Sequence, residues 1–220
     1  MKNIAMIPAR AGSKRLPHKN LLEISPGTSL IEHQIKKLKS INCFDEIWVN
    51  SDSKRVEIIA NNNKVHFYKR SKVLADDKST SEDYIYDFIK NINCNNIFQV
   101  HSIAPLLKTK EIEDFVNYFN KKNYNTLLSY NDSILEHSFK NNPINFSYKK
   151  KQNSQDLLPL QKINWAITGW NSKKYIDSIK NNKNATFSSP VGYFRISKKS
   201  SLVIKDKTDF QIAKSLLNAK

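Results

Sequence analysis

The chain reads as an α/β protein, a doubly wound and mostly parallel sheet carrying one inserted arm. Two observations predict this class. Short apolar segments alternate with segments of helical period through the first 130 residues. That is the order in which strand–helix–strand units build a sheet covered on both faces. From 131 to 183 the chain turns polar and Asn-rich, and near the C-terminus the core pattern returns. In such sheets ligands gather beyond the carboxyl ends of the strands, so function is expected in the loops that follow them.

Strands are expected at Asn3–Pro8, Glu46–Asn50, Val65–Tyr68, Ile97–His101 and Thr126–Tyr130. Helical period lies between them. Ser29–Ile41 places Leu30, Ile31, Gln34, Ile35, Leu38 and Ile41 on one stripe, and Lys54–Ala60 is a shorter segment. Thr80–Ile92 aligns Ile85, Phe88, Ile89 and Ile92, and Thr109–Lys121 aligns Ile112, Phe115, Val116 and Phe119. The Thr80–Ile92 helix has a hydroxyl followed three residues later by a carboxylate in two registers, Ser79 with Glu82 and Thr80 with Asp83. The arm spans Asn131–Lys183 and reads as a lid or a dimerisation element, with a β-like cluster from Ile163 to Trp170. A last strand over Val191–Ile196 and a closing helix over Asp209–Leu217 complete one domain over 1–220.

Composition narrows the function classes. No apolar run is long enough for a spanning helix. The first residues are too soon interrupted for a secretory segment. A cytoplasmic protein without membrane attachment is expected. Cys43 and Cys94 lack metal-ligand spacing and read as packed thiols. The formal charge of +16 favours anionic partners in general. The lysines are spread along the chain among asparagines, and the run Lys149–Lys151 sits in a polar stretch. A nucleic-acid-binding protein would show a continuous basic face and affinity falling steeply with salt. No stacking-aromatic module is visible, and nucleic acid is not the expected partner.

The loop after the first strand, Pro8 to Asn20, carries the chemistry. Arg10, Lys14, Arg15 and Lys19 fall within ten residues, around Gly12, Ser13 and two prolines. Glycine lets backbone N–H groups approach a phosphate closely. Arginine grips phosphate oxygens as a fork, and lysine acts as a point charge. The loop is neither a Walker A motif nor a Rossmann fingerprint. It suits the triphosphate of a nucleotide.

The string from Ile7 to Asn20 also resembles the signature of the acylneuraminate cytidylyltransferases, which make CMP-activated sialic and related nonulosonic acids. The resemblance continues in order through Val49-Asn50-Ser51-Asp52, Arg70 to Ser81, His101-Ser102-Ile103-Ala104-Pro105-Leu106, and Asn153-Ser154-Gln155-Asp156-Leu157. The last of these is similar to the pseudaminic-acid branch. The resemblance implies a Rossmann-like nucleotidyltransferase fold, CTP and a sugar acid as substrates, Mg²⁺ as cofactor and a homodimer built partly from the arm. It gives Arg10, Lys14 and Lys19 catalytic roles, and places Arg10, Ser13, Lys14, Lys19 and Asn20 on the phosphates. It places Arg70, Ser81 and His101 at the base or sugar, and Gln155 and Asp156 at the acceptor. The family's Asp-x-Asp metal pair falls on Val203 and Lys205, which leaves Asp206 as the candidate ligand and N-capping as its competing role. An arginine after the Ala-Pro-Leu motif is replaced by Leu107-Lys108, and Asn153 stands where the pseudaminic branch tends to have arginine. A non-catalytic relative that binds nucleotide is the alternative these departures raise.

Overall fold

A computed structural model of the chain describes residues 1–219. Seven strands form one sheet: β1 (Asn3–Pro8), β2 (Glu46–Ser51), β3 (His66–Lys69), β4 (Asn96–Val100), β5 (Thr126–Ser133), β6 (Leu160–Asn171) and β7 (Val191–Arg195). Their spatial order is β7-β5-β6-β4-β1-β2-β3. Strand β1 pairs parallel with β2 and β4, β2 with β3, and β5 with β7, while β6 runs antiparallel to β4 and β5. The α-helices are α1 (Leu30–Lys39), α2 (Lys54–Asn62), α3 (Ser81–Asn91), α4 (Thr109–Lys121), α5 (Ser172–Lys180) and α6 (Lys207–Asn218).

The alternation of side chains along β1 divides the core. Ala5 and Ile7 join a cluster with Ile31 and Ile35 of α1, Val56 of α2 and Phe115 of α4. Ile4 and Met6 point the other way, to Ile85 and Phe88 of α3, Trp170 of β6 and Tyr175 of α5. Burial on both faces explains why the inner strands read as apolar runs and not as alternating ones. Helix α6 packs separately, with Ala213 against Ile24 and Leu30.

The expected arm has different limits. Only 134–159 leaves the sheet, carrying a short ribbon (Ser138–Phe139 with Asn142–Pro143) and a 3-10 turn at Ser154–Asp156. Residues 160–171 are an inner strand, and α5 packs beside α3. The β-like cluster over Ile163–Trp170 belongs to this strand; its inner position hides in the sequence because its buried residues include Asn164 and Thr168, and its first residues face solvent. Gly169 admits the ring of Phe98, which would lie 2.9 Å from an added Cβ.

Of the two capping registers, Thr80 with Asp83 forms the box of α3. The Ser79 hydroxyl instead donates to Val73 O (2.6 Å), and Glu82 accepts from the Thr186 amide (2.8 Å). Both cysteines are free and half-buried, and burial pushes the Cys43 thiol up to about 12. Among the described residues, no helix is long and apolar enough to cross a membrane.

Candidate functional site

The loop after β1 is clamped by the end of β2. The Ala9 amide donates to Asn50 O (3.0 Å), Ser51 Oγ donates to Ala9 O, and the Ala11 amide donates to Asp52 Oδ1 (2.8 Å). Its far end is tied by Asn20, whose Nδ2 donates to Arg10 O (3.2 Å) and whose Oδ1 accepts from Ser102 Oγ beyond β4 (2.8 Å). These neighbouring strand ends make the loop a preformed cradle. Two contiguous clefts open over it. One, of about 300 Å³, is lined by Arg70, Tyr84 and His101, among others. The second, of about 280 Å³, is lined by Gly12, Ser13, Lys14 and Arg15. Arg10, Lys19 and Asn20 belong to both.

Arg70 is 4% exposed and held from two sides. Its Nε donates to Asn50 Oδ1 (2.7 Å), and its guanidinium carbon lies 3.9 Å from the centre of the Tyr84 ring. The Tyr84 hydroxyl accepts from Gln99 Nε2 (2.6 Å). His101 is pushed down to about 4 by burial first, then by the Lys19 and Arg70 cations, so its imidazole is neutral near pH 7. Lys19 donates to Ile204 O (3.3 Å). Burial lowers its ammonium pKa, Arg15 and Arg10 lower it further, and Asp209 opposes them. Asp77 lies between two loop cations, with Oδ1 3.1 Å from Arg10 Nη2 and Oδ2 2.8 Å from Lys14 Nζ.

The residues expected from sequence divide accordingly. Arg10, Lys19, Asn20, Arg70 and His101 share the first cleft, and Ser13 and Lys14 line the second. Ser81 opens α3 and is exposed; Ser79 lines the first cleft in its place. Gln155 and Asp156 are exposed in the 3-10 turn of the excursion, where Asp156 Oδ2 accepts from Asn153 Nδ2 (3.4 Å), and they line neither cleft. Asp206 is the N-cap of α6, its carboxylate accepting the Asp209 amide (3.0 Å).

A third cavity, of about 390 Å³, lies beside Val203 and Lys205 and is lined also by Lys162, Asn164, Trp165 and Lys198. Asn131 and Asn164 border it, each 8% exposed. Asn131 Oδ1 and Asn164 Nδ2 have no partner among the described residues. Trp165 sits at φ 61°, in the left-handed region, where the β5–β6 register shifts. Tyr84, Asp77, Asn131 and Asn164 escape sequence reasoning. Tyr84 is one aromatic among several in a helical pattern, and a strand-borne asparagine resembles a loop residue.

The donor set expected for Mg²⁺ does not fit that ion, which takes oxygen ligands in near-octahedral array. Val203 offers alkyl carbon and Lys205 an ammonium. Asp206 and Asp209 are reciprocal caps, with Asp209 Oδ2 accepting the Lys205 amide (2.8 Å). In the cleft, Asp76 Oδ1 accepts the Lys78 and Ser79 amides, and both oxygens of Asp77 face cations.

The profile of the cytidylyltransferase family matches residues 4–212. N-acylneuraminate cytidylyltransferase of Streptococcus agalactiae serotype V is 29% identical over 220 residues, covering 96% of this chain and 52% of that protein. Pseudaminic acid cytidylyltransferase of Campylobacter jejuni is 33% identical over 113 residues, 49% of this chain and 48% of that protein. The chain thus spans about half the length of these curated relatives. Among solved structures, a CMP:2-keto-3-deoxy-manno-octonic acid synthetase complexed with CTP is similar, with a TM-score of 0.76 at 15% identity over 99% of this chain and 98% of that one. A 4-diphosphocytidyl-2C-methyl-D-erythritol synthase from Anaerococcus prevotii follows with a TM-score of 0.71 at 12% identity, over 99% and 96%. At these identities the structural likeness speaks for the fold.

Proposed function

The chain belongs to the cytidylyltransferase family, and from that premise we propose that it transfers CMP from CTP to a nonulosonic or related 2-keto sugar acid, releasing pyrophosphate. The observation that carries the reading is the pair of contiguous clefts over the loop after β1, one cationic and one carrying Arg70, Tyr84 and His101. In this reading the triphosphate lies along Arg10, Ser13, Lys14 and Lys19, and displaces the Asp77 carboxylate from Arg10 and Lys14. The base and ribose take the cleft of Arg70 and His101. A neutral His101 can donate one hydrogen bond and accept another.

The acceptor's hydroxyl oxygen attacks the α-phosphorus, its proton passes to solvent, and the bond to the pyrophosphate oxygen breaks. Little covalent chemistry falls to the protein; positioning and preorganised positive charge supply the rate. The acceptor takes the third cavity. Asn131 Oδ1 accepts from a hydroxyl, Asn164 Nδ2 donates to an oxygen, and Lys162 and Lys198 balance the acid's charge. Gln155 and Asp156 reach an acceptor site only across a homodimer, with the 134–159 excursion laid on the partner. That excursion exposes Ile134, Leu135, Phe139, Ile144 and Leu158, apolar side chains that a second copy would cover. The reading includes a cytoplasmic enzyme that serves surface-glycan synthesis.

Pyrophosphate release from CTP against a panel of nonulosonic and octulosonic acids tests it. Release with one acid is expected, and Lys14→Ala should lower the rate about 10²–10³-fold, as loss of one preorganised donor does elsewhere. CTP binding without release for any acid would favour the second reading, a relative that binds nucleotide and transfers nothing. Val203 and Lys205, where the resemblance puts the family's metal pair, are what favour that alternative.

A further inference from the structure

We infer that this chain neutralises its nucleotide triphosphate with resident side-chain cations in place of a protein-bound divalent ion, and that Lys205 holds the ion's position beside Lys19. The inference rests on the nucleotide-binding reading above and goes beyond it.

Lys205 is placed for this by the backbone before α6. The preceding carbonyl, Ile204 O, accepts from Lys19 Nζ (3.3 Å), and the Lys205 amide donates to Asp209 Oδ2 (2.8 Å). Lys19 lines both clefts over the loop, and Lys205 lines the third cavity. The two lysines therefore flank the segment that separates the phosphate cradle from the proposed acceptor cavity. Lys205 is exposed at the third cavity, one residue along from the carbonyl that Lys19 grips.

The charge balance points the same way. Arg10, Lys14, Arg15 and Lys19 line the cradle, and Asp77 is already paired with two of them. The cations penalise one another, since Arg15 and Arg10 already lower the Lys19 pKa. A divalent ion carried in on the triphosphate would add two positive charges here. Asp206 and Asp209 each spend an oxygen on the α6 cap, and Lys205 and Lys207 flank Asp206. Asp76 and Asp77 offset only part of the positive charge that Arg10, Lys14, Arg15, Lys19 and Arg70 place around the two clefts, and the excess repels a further cation. The free triphosphate, more negative than its magnesium complex, is the better complement to these residues.

Calorimetric titration of the full chain with CTP, once in EDTA and once in saturating Mg²⁺, decides the matter. The expected result is binding in EDTA at least as tight as in Mg²⁺. Lys205→Ala should weaken binding in EDTA about tenfold, the scale of one charge-assisted contact, while Lys205→Arg retains it. The double variant Val203→Asp with Lys205→Asp should shift the preference about tenfold toward Mg²⁺. Binding by the unaltered chain that is tenfold or more tighter with Mg²⁺ overturns the inference and leaves the nucleotide reading standing. Unchanged binding by a folded Lys205→Ala protein, verified by circular dichroism, overturns the role of Lys205. Failure of CTP to bind in either condition overturns both readings.

Discussion

Arg70 and His101 occupy the same cleft by different physical means. Burial lowers the pKa of the guanidinium, and Asn50, which accepts from it, and the Tyr84 face under it offset part of that cost. Removing the ring leaves a buried cation partly uncompensated. Tyr84→Ala is therefore expected to cost about 3–5 kcal/mol in denaturant unfolding, the range of a large aromatic truncation. Tyr84→Phe, which keeps the ring and loses only the Gln99 bond, should cost about 1 kcal/mol. For His101 the sign runs through the proton balance. Its folded pKa of about 4 lies below the unfolded value of 6.5, so between them the unfolded chain binds more protons. Its contribution to stability is complete above pH 6.5 and is lost as pH falls toward 4, with a slope approaching about 1.4 kcal/mol per pH unit. Urea melts across that window should show the slope, and His101→Gln should remove this part of it. At this scale the sequence names Arg10, Lys14 and Lys19 through their charge types and their place after the first strand, and Arg70 only through the family resemblance. It cannot name Tyr84 or Asp77, because their roles exist only where α3 and the loop before it meet the cradle.

At the scale of elements, the helices were legible because their apolar stripes recur at the helical period and their ends carry capping residues. Helix α4 matches its expected span, and α1 and α3 differ from theirs by a residue or two. Asp206 shows how one residue type serves two expectations. As N-cap of α6 it satisfies the Asp209 amide, and Asp206→Ala should lower stability by about 1 kcal/mol, measured as a lower unfolding midpoint. If capping is its whole task, CTP affinity at fixed Mg²⁺ stays within about twofold. A loss of tenfold or more would give the carboxylate a part in binding. Strand β6 was legible only as a β-like cluster over Ile163–Trp170, and its place inside the sheet was not. Its inner residues are buried by β4 and β5, so burial there depends on neighbours far along the chain and not on local alternation.

At the scale of the whole molecule, the excursion of 134–159 is the part least explained by one chain. Its exposed Leu135 and Leu158, 68% and 77% accessible, have no core of their own to enter. A dimer of the 25.5 kDa chain is expected in sedimentation equilibrium. Leu135→Asp with Leu158→Asp should shift it to monomer and weaken acceptor binding while CTP affinity holds. A double variant that stays dimeric would move the interface elsewhere. The charge of +16 belongs to this scale as well. It raises the local concentration of anionic substrates and makes their association salt-dependent, without selecting among them.

By itself the sequence determined the fold class, the order of strands and helices through residue 130, and the cationic loop after β1. Each of these follows from local rules: side-chain period, capping chemistry and the placement of loops after strands. Only the tertiary structure decided that β6 is an inner strand, that Asp77 sits against Arg10 and Lys14, and that Asn131 and Asn164 meet at one cavity with unpaired polar atoms. It also placed Ser81, Gln155 and Asp156 outside the clefts. The physical reason is common to all. Pairing across the sheet and packing between distant loops are set by partners whose identity no local pattern encodes.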